Sequence, residues 1–233
     1  MKHLHTNIVR IKAVHEILGD LRDKVVFIGG ATVSLYALRE ARDIRETDDV
    51  DILVEIATNW DYAEVEAQLR KAGFENDMEA GFMGRFKLSG LLVDLMATDE
   101  KILGFGNQWY KDGFHTAIEY RIDDQVTVKI FDAPHFIASK IEAFKNRGEG
   151  DGRLSQDFED IVFILENRAS IWQEMNDSPS PLKEYLKKEF QAFADNPHIQ
   201  EWIDSHTGFS SSRGVYVIME DMKHYLEESS SPT

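Results

Sequence analysis

Asp49 and Asp51, two acids separated by one residue, are the pair in this chain best suited to chemistry. They open the apolar run Asp49-Val50-Asp51-Ile52-Leu53-Val54, which reads as a β-strand. Side chains two apart on a strand share a face, so both carboxylates project together while Val50, Ile52 and Val54 project the other way. Neighbouring carboxylates repel unless a cation lies between them, and hard oxygen donors suit Mg²⁺. Upstream, the short apolar run Val25-Val26-Phe27-Ile28 ends in Gly29-Gly30 and leads into a helical pattern. Glycine permits a sharp turn without a blocking side chain, and the free N–H groups at a helix start attract a phosphate. Gly29 and Gly30 are therefore candidate phosphate-binding residues, and Asp49 and Asp51 candidate metal ligands.

The elements around this pair follow from periodicity. Ile8, Ile11, Val14, Ile17 and Leu18 have the spacing of an amphipathic helix over about 6–19. A helix over about 31–41 is expected after the glycine turn, with Thr32 and Ser34 in its first turn. There a hydroxyl either meets a phosphate or serves only to start the helix. Arg39, Arg42 and Arg45 follow at three-residue steps; they read either as a solvated helix end or as guanidiniums for a triphosphate. A helix over Trp60–Ala72 and a β-meander over 74–97 come next. The last strand of the meander, Leu91-Leu92-Val93-Asp94-Leu95-Met96, carries one acid that is costly to bury without a partner. Residues 100–114, with Gly104, Phe105, Gly106, Trp109 and Tyr110, read as a loop, and 115–131 as a hairpin turned at Asp123-Asp124.

Asp132-Ala133-Pro134 marks a boundary, because Asp before Pro at the head of an apolar-periodic run is a helix start. The expected organisation is thus an α/β domain over 1–132 and a helical domain over 133–233. Phe136, Lys140 and Phe144 are spaced by four, with Ile137 and Ile141 beside them, so Lys140 lies on or beside the apolar stripe. It either surfaces its amine along the core or aims a cation at a site. Ser155 caps a further helix on which Asp157 and Asp160 lie three apart. Residues 169–233 read as further helices, with the linker Ser178-Pro179-Ser180-Pro181 and a frayed tail from Glu227.

Gly29-Gly30 followed by Arg45-x-Thr47-x-Asp49-Val50-Asp51 resembles the signature of the nucleotidyltransferase superfamily, in which a Gly-Gly or Gly-Ser turn precedes an acid-hydrophobic-acid pair. Ala138-Ser139-Lys140-Ile141-Glu142-Ala143-Phe144, then Arg147, then Ser155-Gln156-Asp157-Phe158-Glu159-Asp160-Ile161, is similar to the AbiEii/AbiGii toxin-type members. The resemblance runs from about Val25 to about Arg168. It implies a nucleotidyltransferase-type mixed sheet with flanking helices and a C-terminal helical region. It also implies an enzyme that moves NMP from an NTP to an acceptor with one or two Mg²⁺ ions. Asp94 would be the third acid, Lys140 and Asp157 would join the catalytic set, and Lys140 and Arg147 would meet the nucleotide. A toxin-type or defence role, with RNA or tRNA as acceptor and an antitoxin as partner, is the further implication.

Composition bears on these expectations. The 233-residue chain carries 26 Lys and Arg against 42 Asp and Glu, a formal net charge of −16. A broad grip on DNA or RNA needs many basic residues to displace counterions, so broad nucleic-acid binding is not expected. A local basic patch for an RNA end, or a cationic substrate or protein partner, remains compatible with that charge. The chain has no cysteine, hence no disulfide or thiolate-bound zinc. No apolar run is long enough to span a membrane, and Met1–Thr6 lacks a signal-peptide core, which fits a cytoplasmic protein. The glycine-rich Gly148–Gly152 is too acidic for a P-loop and lacks its Gly-Lys-Ser/Thr element, and Gly29-Gly30-Ala31 lacks the three glycines of a dinucleotide fold. Two alternatives stand beside the RNA-directed reading. One is a small-molecule transferase of the aminoglycoside-modifying kind; the other is a non-catalytic, partner-binding member of the fold.

Overall fold

The computed structural model describes residues 2–38, 45–56, 58–208 and 213–228. The chain divides into two compact units, Met1–Leu35 with Ile44–Asp132, and Tyr36–Asp43 with Ala133–Thr233. The first is a mixed α/β unit and the second is helical.

The first unit opens with α1 (Lys2–Ile17), whose Ile11 and Val14 are fully buried. Its strands are β1 (Val25–Ile28), β2 (Asp49–Val54), β3 (Glu75–Asn76), β4 (Arg85–Leu88), β5 (Leu91–Ala97), β6 (Ile118–Arg121) and β7 (Thr127–Ile130). They form one sheet in the order β3-β4-β5-β2-β1-β7-β6. β2 lies antiparallel to β1 and parallel to β5, so the sheet is mixed. All four residues of β1 are buried, as are Val50 and Ile52 to Val54 of β2 and Val93 and Leu95 of β5. α2 (Asn59–Lys71) starts at a capping box in which Thr58 and Asp61 each bond the other's backbone N–H.

The stretch after the glycine turn departs from expectation. In place of an α-helix over 31–41, Gly30–Tyr36 forms a seven-residue 3₁₀ helix. Every residue in it is buried. The β-branched Thr32 and Val33 disfavour α geometry. Both the N–H and the hydroxyl of Thr32 donate to the Gly29 carbonyl, at 3.2 and 2.9 Å, which closes a tight three-residue turn. Arg39 and Arg42, and the end of the expected helix, lie outside the described residues. The segment expected as a loop over 100–114 carries two short helices, α3 (Glu100–Leu103) and α4 (Tyr110–His115). Trp109 is buried there, and Gly113 packs against the Phe131 ring so closely that a Cβ would stand 2.9 Å from it.

The helical unit comprises α5 (Ala133–Arg147), α6 (Gln156–Asn167), α7 (Ile171–Asn176), α8 (Ser180–Ala194), α9 (Ile199–Asp204) and α10 (Val215–Glu227). Ser155 caps α6, its hydroxyl accepting from the Phe158 N–H at 3.3 Å. Phe144, Phe158, Phe193 and Trp202 pack as an aromatic cluster with ring centroids 5.3–6.1 Å apart. Among the described residues, no helix is long and apolar enough to cross a membrane.

Candidate active site

The candidate acids meet at one place on the sheet. β2 and β5 run parallel with Asp51 directly beside Asp94, and Asp49 beside Leu92. β1 runs antiparallel to β2 with Ile28 paired to Asp51, which brings the glycine turn against the same carboxylate. Asp49 and Asp51 are half-buried, while Asp94 is 4% exposed. The alternation of β2, with Val50 and Ile52 buried between the acids, is what period two requires.

Gly29 has a specific steric reason to be glycine. Its φ is +73°, and a Cβ there would stand 1.8 Å from Asp51 Oδ2 and 2.7 Å from its Cγ. The open space at Gly29 is filled by the Asp51 carboxylate, so the turn makes room for an acid. The neighbouring candidates are enclosed: Thr32 is fully buried with its hydroxyl on the Gly29 carbonyl, and the Ser34 hydroxyl is buried with no hydrogen-bond partner. Gly30 opens the seven-residue 3₁₀ helix.

A cation lies between two of the acids, and it belongs to the chain. Arg85 Nε donates to Asp94 Oδ1 at 2.7 Å, and Arg85 Nη2 donates to Asp94 Oδ2 at 2.6 Å and Asp49 Oδ2 at 2.7 Å. β4 and β5 pair antiparallel with Arg85 directly opposite Asp94. Their connection, Ser89-Gly90, has positive φ at both positions, 49° and 83°, the signature of a two-residue hairpin turn. That turn sets the register, so it also sets the ion pair. Burial raises the Asp94 pKa, against the opposing pull of the Arg85 hydrogen bonds. The Asp94 hydrogen bonds hold the Arg85 guanidinium above the usual arginine range, outweighing its partial burial. Sequence reasoning passed over Arg85, although the Ser89-Gly90 turn signal implies that residues 85 and 94 face each other.

The acidic strand is also tied down at its start. Asn7 of α1 is fully buried; its amide donates to the Arg45 carbonyl at 3.0 Å and its oxygen accepts from the Thr47 N–H at 3.2 Å. Thr47 Oγ1 in turn donates to the Asp49 carbonyl at 3.1 Å, and Arg10 donates to the Thr47 carbonyl. Arg45 is thus anchored by its backbone beside the acids. No local signal marked Asn7, because its partners lie 38 and 40 residues away along the chain.

Lys140, Arg147 and Asp157 meet inside the helical unit. Lys140 is 6% exposed, and its ammonium pairs with Asp157 at 3.1 Å and Asp160 at 2.6 Å. Arg147 donates to both Asp157 oxygens, from Nε at 2.6 Å and Nη2 at 2.8 Å. Burial alone would lower the Lys140 pKa, but Asp160 and Asp157 outweigh it and hold the amine above the ordinary lysine range. Burial would raise Asp157, yet Arg147 and Lys140 hold it below the ordinary carboxylate range. Asp160 completes this cluster; its position one helical turn beyond Asp157 is the signal that identifies it.

The donor chemistry of Asp49, Asp51 and Asp94 fits a hard divalent cation, and the chain's own guanidinium is already drawn to two of them. Among the described residues, no group of three or more His, Cys, Asp or Glu stands arranged to hold a metal ion.

No protein-family model matches the chain. No curated protein matches it either. Among solved structures, the chain is similar to the solution structure of the antibiotic-resistance factor ANT(2'')-Ia, described as showing substrate-regulated conformation dynamics. The two share 15% identity with a TM-score of 0.49, over 81% of this chain and 95% of that one.

Proposed function

We propose that this protein is a metal-dependent nucleotidyltransferase that moves NMP from an NTP to an acceptor. The observation that carries the reading is the acid set: Asp51 and Asp94 in register on neighbouring parallel strands, Asp49 two residues from Asp51, and a guanidinium gathered between Asp49 and Asp94. Such a set concentrates negative charge at one point of the sheet and demands a cation there. Mg²⁺, when bound, would be held by Asp49, Asp51 and Asp94 and would supply positive charge for the reacting phosphate and leaving pyrophosphate.

In the proposed reaction an acceptor oxygen forms a bond to the α-phosphorus of the NTP, and the bond from that phosphorus to the bridging oxygen breaks, releasing pyrophosphate. Asp94 would either hold the metal or take the acceptor's proton. Asp51, laid over Gly29, and Asp49, steadied through Thr47 and Asn7, hold the negative face in place. Arg45 is the candidate phosphate ligand in this unit. In the helical unit, Arg147, its side chain 71% exposed, is the candidate phosphate ligand. Lys140 and Asp157 act there through the ion cluster that fixes Arg147.

Charge and resemblance point to different acceptors. A net charge of −16 favours a cationic small molecule over an RNA end, while the resemblance to toxin-type members favours the RNA. Label transfer decides both questions. The protein is incubated with each α-labelled NTP and Mg²⁺, with RNA, a protein extract and cationic small molecules supplied in turn. Label is expected to move into one pool with wild type and not with Asp49→Asn. Full activity in Asp49→Asn or Asp51→Asn sinks the proposal. The rival, a partner-binding protein without catalysis, predicts neither transfer nor stabilisation by Mg²⁺-NTP.

A further inference from the structure

We propose that the face shared by α8 and α10 is a docking groove for a basic amphipathic helix of a partner protein. The inference stands apart from the transfer chemistry above, since it uses only the helical unit. α10 carries two neighbouring strips of the three-four spacing with which one helix meets another. The first, Val215, Ile218, Met222 and Tyr225, is buried and serves the core. The second is shifted by one residue: Tyr216, Met219, Lys223 and Leu226. Met219 and Leu226 in it are only half-buried, and Tyr216 is 76% exposed. α10 thus presents more apolar surface than its own packing consumes. An aromatic and two long aliphatic side chains at that period are the anchors a partner helix uses.

Beside this strip lies a groove of about 610 Å³, closed on its other side by Gln191 and Ala194 of α8 and lined also by Met222. Ala194 is the last residue of α8, and its small side chain leaves the space open. The methionines are unbranched and can adapt to an inserted side chain. The rim selects the sign of the occupant. Glu220 is exposed and has no hydrogen bond or ion pair among the described residues. Glu227 has the long contact to Lys223, at 3.8 Å. Two carboxylates therefore border the groove against one ammonium. A second copy of the chain would bring the same rim and a further net charge of −16 to it, so like charges would meet. A helix whose apolar strip is flanked by Lys or Arg brings the opposite sign, and is the occupant that both the anchors and the rim fit.

The test is fluorescence anisotropy of a labelled synthetic helix built of Leu and Lys, its leucines in a three-four repeat, titrated with the full-length protein. A peptide of the same composition in scrambled order is the control. Wild type is expected to bind the helix and not the scramble. Leu226→Gln is expected to weaken binding about tenfold or more, the loss of one buried leucine anchor. Glu220→Lys changes an exposed position and so keeps the test open should Leu226→Gln not fold; it is expected to weaken binding several-fold, by less as salt is raised. Amide hydrogen exchange is expected to slow in α10 and at the end of α8 when the peptide binds. Absence of binding, equal binding of helix and scramble, or unchanged binding by the folded variants overturns the proposal. So does protection confined to other elements. Sedimentation of the protein alone tests the rival occupant: self-association that Leu226→Gln or Glu220→Lys abolishes assigns the groove to a second copy and overturns the proposal too.

Discussion

Gly29→Ala probes the coupling between the glycine turn and the acid strand. Two costs can be separated. The first is backbone: at φ +73° an L-residue sits in the left-handed region, a penalty of about 1–2 kcal/mol. The second is steric. The new methyl would stand 1.8 Å from Asp51 Oδ2, so the carboxylate must rotate away, and an off-rotamer side chain costs about 0.5–1.5 kcal/mol. The whole loss is then about 1.5–3.5 kcal/mol. In an Asp51→Ala background the clash with the carboxylate is gone, the residue 51 Cβ staying 3.1 Å away, and the backbone cost dominates. Urea unfolding of wild type, both single variants and the double variant gives the cycle. A coupling of about 0.5–1.5 kcal/mol is expected between the two positions. Equal Gly29→Ala penalties in both backgrounds would refute the claim that Gly29 exists to seat the Asp51 carboxylate. Label transfer by Gly29→Ala is expected to fall with the displaced acid, even where the protein stays folded.

Four further outcomes follow from the structure. Lys140→Met leaves Asp160 buried without its ammonium, and unfolding measurements should show a loss of about 3–5 kcal/mol; a loss below about 1 kcal/mol would mean that the cluster is not tightly coupled. Asp157 has a folded pKa below its unfolded value, so its stabilisation is present above about pH 4 and is lost as pH falls through the lowered value; stability measured against pH should lose part of its acid-side slope in Asp157→Asn. Lys140 is the opposite case: its raised pKa keeps its stabilisation intact up to the ordinary lysine range, and it fades only as pH climbs beyond that. Asn7→Ala strands the Thr47 N–H and the Arg45 carbonyl, for a loss of about 1–3 kcal/mol in unfolding experiments and a drop in label transfer as Asp49 loosens.

The parts of the site that sequence made visible are those encoded within a few residues. Strand period two puts Asp49 and Asp51 on one side and Val50 and Ile52 on the other, whatever the strand's neighbours. Ser155 announces α6 through its own hydroxyl, and the spacing of Phe136, Lys140 and Phe144 turns the lysine inward. A single acid in an apolar strand marks Asp94 as needing a partner.

Which partner each acid receives was decided by the folded unit. Placing Asp51 beside Asp94 depends on β2 and β5 becoming parallel neighbours, a pairing of segments far apart in the chain. The cation at the acids is Arg85, because the hairpin carries it across from Asp94. Lys140 is paired with Asp157 and Asp160, since a buried ammonium is stable only with acids at hand. Periodicity and caps are local energies and can be read one segment at a time. Strand order, ion pairing and the room at Gly29 are set by the free energy of the whole unit, and only the tertiary structure expresses that.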